Sequence, residues 1–220
     1  MRELDLVEQE ELAKLKSIWH EYGLIIIVGV VVFFSVYGGT RYWEYYKREQ
    51  ANSAAYLYET YLEKLVEADS ENALKIVKSI TEEYKNTPYA SLVNLQQARE
   101  YYLAEQEQDK EKSIAHLKWV VENGNDEFFR DSARLQLMQL LIDTDKCEQA
   151  IRYSEDQESL SMAMGIYELK GDCYVKLGKF QMARDAYQLS IKSDIIAMGK
   201  LGQSIKANPI VSMKLQSLPK

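Results

Sequence analysis

Two histidines, two cysteines and 34 Asp/Glu side chains are the groups with which this 220-residue chain could move protons, attack an electrophile or ligate a metal. Each of those tasks needs several such groups to converge within bonding reach. The sequence pattern keeps them apart. His20 flanks an apolar run near the amino end, while His116 lies in a separate polar, helix-forming stretch. No HExxH, GxSxG, Gly-rich phosphate loop or CxxC occurs. Cys147 and Cys173 each fall at an apolar helical position and read as buried thiols. A disulfide between them stays open, because it depends on the redox compartment. The carboxylate pairs Glu10/Glu11 and Glu82/Glu83 sit on charged helix faces, where solvated surface is the common reading. The chemistry-bearing residues therefore point to a protein with no catalytic centre, no cofactor and no metal site, one that works by binding.

What must position a binding surface is set first by Tyr22–Thr40, nineteen residues without a charge. As a helix this run reaches about 28 Å, close to the hydrocarbon thickness of a bilayer. Trp19 and Tyr22 stand at one edge and Tyr37, Tyr42, Trp43, Tyr45 and Tyr46 at the other, the placement amphipathic rings favour at headgroups. A buried core helix would show polar residues at helical spacing, and only Ser35 interrupts this run. A cleaved signal peptide needs a basic leader, but Met1–Glu21 carries three Lys/Arg against six Asp/Glu. Cleavage after Gly38 stays an alternative; the retained single span is the reading adopted. Gly29, Gly38 and Gly39 are candidates for close packing against another membrane helix. Orientation is not decided by charge. Arg2, Lys14 and Lys16 on one side balance Arg41, Lys47 and Arg48 on the other.

The remainder has helical composition, with only 10 Gly and 3 Pro in the whole chain. Net charge is −7, and the body between the span and the tail is acidic, which argues against nucleic acid as a partner. The lysines of the tail read as solvated surface. Apolar residues Leu4, Val7, Leu12, Leu15, Ile18 and Trp19 predict a short interfacial helix in the leader. After Arg41 no Gly or Pro interrupts a stalk in which Tyr56, Leu57, Tyr61, Leu62 and Leu65 form the expected packing stripe. The tail from Asn208 alternates apolar and polar residues and predicts an extended segment, with Ile210, Val211, Met213 and Leu215 shielding the last unit.

Residues 167–187 carry the clearest local pattern. Gly171 allows close helix approach, Tyr174 packs one turn on, Gly178 ends the first helix, and Phe180, Ala183 and Tyr187 line the second. This resembles a tetratricopeptide repeat, with Lys170 at the pattern's Leu position and no closing Pro. The small residue of the second helix recurs at Ala150, Ser113 and Ala73, at spacings near the family's period. Accompanying first helices are predicted at Tyr89–Leu103, Phe129–Leu141 and Met162–Leu177, with turns at 85–88 and 123–126. An irregular bundle with one chance match is the alternative. Stacked pairs leave a curved surface for a polypeptide partner. Carried over from the tetratricopeptide pattern, its groove positions are Leu135, Gln139, Ile142 and Asp143, then Glu168, Asp172, Val175 and Lys176.

The order of parts also resembles the YfgM family, ancillary subunits of the bacterial SecYEG translocon. The points of likeness are Gly38-Gly39-Thr40-Arg41-Tyr42-Trp43, the last repeat through Lys192-Ser193-Asp194, and the terminal Met213-Lys214-Leu215. The resemblance implies an inner-membrane protein with a cytoplasmic amino end and a periplasmic repeat domain. It implies partnership with SecYEG, a PpiD-like membrane-anchored chaperone and newly translocated polypeptides, and no catalytic residue. A scaffold of envelope or division assembly, or a stress-signalling role of the leader, are the alternatives. The expected fold is all-α: a single N-terminal transmembrane helix followed by an α-solenoid of tetratricopeptide-like helix pairs. Its parts would be a leader (1–21), span (22–40), stalk and first repeat helix (41–68), repeat domain (69–197) and C-terminal capping segment (198–220).

Overall fold

A computed structural model describes residues 6–104, 106–155, 160–200 and 209–219, and these are helical with no strand among them. Arg2, Leu4 and Asn208, used above, lie outside the described residues. The chain divides into two units, Met1–Gln50 and Ala51–Lys220.

The first unit is helix throughout its described length, part of α1 (Leu6–Val66). This helix is long enough and apolar enough to cross a membrane. The leader is not a separate interfacial helix, because nothing between Leu6 and Tyr22 breaks the hydrogen-bond ladder. Ile25, Phe33 and Phe34 are each more than 60% exposed, a surface suited to lipid rather than water.

The second unit stacks helices in antiparallel pairs. The end of α1 pairs with α2 (Ser70–Glu83), α3 (Pro88–Leu103) with α4 (Glu107–Asn123), α5 (Glu127–Asp143) with α6 (Cys147–Arg152), and α7 (Leu160–Lys176) with α8 (Phe180–Lys200). A short α9 (Pro209–Gln216) follows. The predicted first helices are all present. The start of α5 comes two residues early because the Asp126 carboxylate accepts from the Phe128 amide at 2.8 Å. The two turn clusters touch, Asn125 Nδ2 donating to the Asn86 carbonyl at 3.0 Å.

Three of the turns within pairs share one geometry. Ala68, Asp145 and Gly178 adopt φ of 56°, 57° and 70°. The amide after each returns to a carbonyl five residues back: Asp69 to Lys64, Lys146 to Leu141, Lys179 to Tyr174. This is the Schellman closure, which satisfies carbonyls that a helix end leaves open. The repeat is thus written in the backbone even where glycine is missing.

The four small residues that mark the second helices, Ala73, Ser113, Ala150 and Ala183, are all buried. Ser113 also hands its hydroxyl proton to the Ala98 carbonyl at 2.8 Å. Gly171 is where pairing is tightest. A Cβ there would lie 2.4 Å from Tyr187 Cε1. Tyr174 is half-buried beside Tyr187, but Phe180 is exposed, since it precedes the turn of α8 that faces α7.

Three apolar clusters run along the stack rather than one centre. Ala54, Leu57, Tyr58, Tyr61 and Leu65 of α1 are buried or half-buried, most of them against Ala73, Val77, Ile80, Ala90 and Val93. Tyr56 and Leu62, expected in that stripe, are exposed; the true stripe is rotated toward Tyr58. The middle cluster runs from Ala98 through Leu137, Met138 and Leu141 to Cys173. The last joins Ala183 and Tyr187 to Val211 and Leu218.

Cys147 and Cys173 are free, buried thiols in the middle cluster. Burial pushes the Cys173 thiol well above its ordinary value, and a hydrogen bond to Cys147 adds to this. The native chain is therefore expected to resist iodoacetamide at both cysteines and to take up two labels once unfolded. Labelling of the native protein would contradict the burial. Failure to label without reductant after unfolding would reveal a disulfide.

Candidate partner-binding groove

The eight groove positions separate into two sets. On α5, Gln139 and Asp143 are exposed and hydrogen-bonded to each other at 2.9 Å. They line a cleft of about 260 Å³ whose other walls are Arg99 and Tyr102 of α3, Ser113 and Leu117 of α4, and Gln136 of α5. Leu135 is half-buried against the core, its side chain filling the space where a Cβ at Gly165 would stand. Ile142 is buried, so its side chain offers a partner nothing; its carbonyl instead accepts from Lys176 Nζ at 2.8 Å. Lys176 also pairs with Asp145 at 2.9 Å, locking the α5–α6 turn to the end of α7.

The other three α7 positions, Glu168, Asp172 and Val175, face the chain's own tail. The tail is helical rather than extended, and Pro209 sits at the first helical position, where its missing N–H costs nothing. Lys214 Nζ lies 2.8 Å from Glu168 Oε1 and 2.8 Å from Asp172 Oδ2. These bonds hold the ammonium above its usual range despite a desolvation cost. Asp172 accepts as well from the Tyr187 hydroxyl at 2.7 Å, which with burial drives that phenol far above its normal value. Val175 packs beside Val211 and Leu215. Val211 and Leu215 do shield the last pair, whereas Ile210 and Met213 are exposed.

The α5 cleft residues Arg99, Tyr102 and Gln136 carry no distinguishing spacing, which is why the sequence pattern passes over them. A second cleft lies between α2, α3 and α4, walled by Thr81, Asn94, His116 and Trp119. Asn94 Nδ2 donates to the Ala90 carbonyl at 2.8 Å and to Thr81 Oγ1 at 3.1 Å. Its Oδ1 must then accept from His116 Nδ1, 2.7 Å away, which places the proton of the neutral ring on Nδ1. The ring stacks on Tyr101.

Burial lowers the His116 pKa below its ordinary 6.5. The unfolded chain then binds a proton more readily than the folded one. This contribution to stability is complete above the unfolded pKa and is lost as pH falls through it toward the folded value. An NMR titration is expected to give His116 a midpoint below 6.5, and His116→Gln should flatten the loss of stability between about pH 7 and 5. A midpoint at or above 6.5 would refute the reading.

Gly29, Gly38 and Gly39 each have open space where a Cβ would stand. They do not share one seam. Gly29 and Gly38 fall on opposite sides of a helix of ~3.6 residues per turn. Among the described residues no group of three His, Cys, Asp or Glu could hold a metal ion.

The geometry is that of repeat hairpins with small clefts between them, and the sequence matches a repeat family. A model of the tetratricopeptide repeat-like domain family matches residues 16–220. An Escherichia coli (strain K12) protein named ancillary SecYEG translocon subunit is 23% identical, covering 86% of this chain and 89% of its own. Proteins of the same name from Haemophilus influenzae, 24% identical over 84% and 89%, and Neisseria gonorrhoeae, 23% identical over 97% and 98%, are similar too. With the family model covering all but its first fifteen residues, the chain belongs to the tetratricopeptide repeat-like domain family.

Proposed function

We propose that this chain is a non-catalytic, membrane-anchored adaptor of the SecYEG translocon. The observation that carries the reading is the near-full-length likeness to relatives named ancillary SecYEG translocon subunit, in a chain whose described residues include a membrane-capable helix and a repeat stack. The amino end lies in the cytoplasm and the repeats lie in the periplasm, where they bring newly translocated polypeptides to a PpiD-like chaperone. Anchoring serves this task physically. Confinement to the bilayer raises the effective concentration of weakly bound partners without any new contact.

Tagged protein solubilised in mild detergent is expected to co-purify SecYEG and a PpiD-like chaperone. Deleting residues 69–220 should abolish the chaperone contact, and unchanged co-purification would count against the repeat surface. Protease added to intact spheroplasts should digest the repeat domain. Its protection would sink the periplasmic assignment.

A further inference from the structure

The last repeat ends differently from the others. The first-helix faces of α3 and α5 are each covered by the following first helix, α5 and α7 in turn. The corresponding end of the last pair is met by α9, a helix of 8 residues that packs on α8 and reaches α7 through Lys214. A helix that short does not persist in water by itself, so α9 is helical because the face beneath it makes it so.

The face is chemically specific. Its floor is Tyr174, Val175, Ala183 and Tyr187, and its rim carries Glu168 and Asp172 one turn apart on α7. The seated helix supplies Val211 and Leu215 at i and i+4, Leu218 follows just past its end, and a single lysine, Lys214, satisfies both carboxylates. Any helix without that cation would leave two half-buried acids facing each other across an apolar floor. Only one side of the helix is engaged: Val211 is fully buried, while Ile210 and Met213 are 58% and 69% exposed.

The geometry points to the α7–α8 face beneath α9 as an exchangeable helix-binding site. Its partner is an amphipathic helix of another polypeptide, with apolar residues at i and i+4 and a lysine at i+3. The chain's own tail holds the site until such a helix displaces it. This rests on the adaptor reading only for the use of the site; the binding itself is tested without the translocon.

The test uses the full-length chain in detergent micelles and a fluorescent peptide copying residues 209–219, titrated to ~1 mM, the effective concentration of a short tether. The variant Val211→Asp/Lys214→Ala unseats α9. Peptide is expected to bind this variant at least tenfold more tightly than it binds the native chain. Replacing the peptide's lysine by glutamate, or adding Asp172→Asn to the protein, should each remove at least tenfold of that binding. Equal binding to both proteins, or no saturable binding to the variant, overturns the proposal. Loss of helicity across the repeats in the variant overturns it equally, because α9 would then be a fixed part of the fold. These outcomes stand apart from whether SecYEG co-purifies.

Discussion

Replacing Arg134 with methionine is expected to destabilise the repeat domain by about 3–5 kcal/mol. Asp131 and Arg134 sit one turn apart on α5, 0% and 4% exposed, with the guanidinium Nη1 donating to Asp131 Oδ1. Methionine keeps much of the length and removes the cation, so a carboxylate deep in the stack loses the guanidinium beside it. The native pair is itself imperfect, since Arg134 Nε has no hydrogen-bond partner. Removing both charges in Asp131→Leu/Arg134→Met should therefore recover most of the loss, to within about 2 kcal/mol of the native chain. Urea midpoints of the three proteins in the same detergent decide this. If the double variant is as unstable as the single one, the lost ion pair is not the cause.

Gly171→Ala is the second large effect, an expected loss of about 1–3 kcal/mol even though alanine is the better helix former by about 1 kcal/mol. The new methyl would meet Tyr187 Cε1 at 2.4 Å and Cδ1 at 2.5 Å. That ring cannot swing away, because it is 2% exposed and its hydroxyl is tied to Asp172. Either α7 and α8 separate or the ring leaves its place. Tyr187→Leu in the Gly171→Ala background should return part of the stability by making room. Gly165→Ala is the comparison, since it meets only the flexible tip of Leu135, 3.0 Å away. Equal losses at the two glycines would contradict the packing argument.

Both effects show what a linear reading can see. The close approach at Gly171 was legible because Gly171, Tyr174, Gly178 and Ala183 stand at the offsets of the tetratricopeptide pattern, and the apolar run was legible because its charges are missing. The Asp131–Arg134 pair was not legible, since oppositely charged residues three apart usually mark a solvated helix face. The stalk stripe was misjudged for a related reason. Tyr56, Leu57, Tyr58, Tyr61 and Leu62 surround much of the helix, and only α2 and α3 decide which side is buried. The tail's alternation suggested a strand, but its i and i+4 residues face α7 and α8 while Ile210 and Met213 face out. Groove positions taken from the repeat pattern fall on α5 and α7. Which of them a visitor could reach depends on α9, which no repeat pattern foretells.

The three apolar clusters of the stack share helices. Ala90 and Val93 of α3 belong to one cluster and Ala98 to the next, while Cys173 and Tyr174 of α7 divide the same way. A molecule assembled like links has no keystone whose removal brings down everything at once. Under mild denaturant or mechanical load it should part at its couplings, α3 and α7, and release its ends before its middle. Amide exchange slowest in α4 and α5 would be the signature of that order.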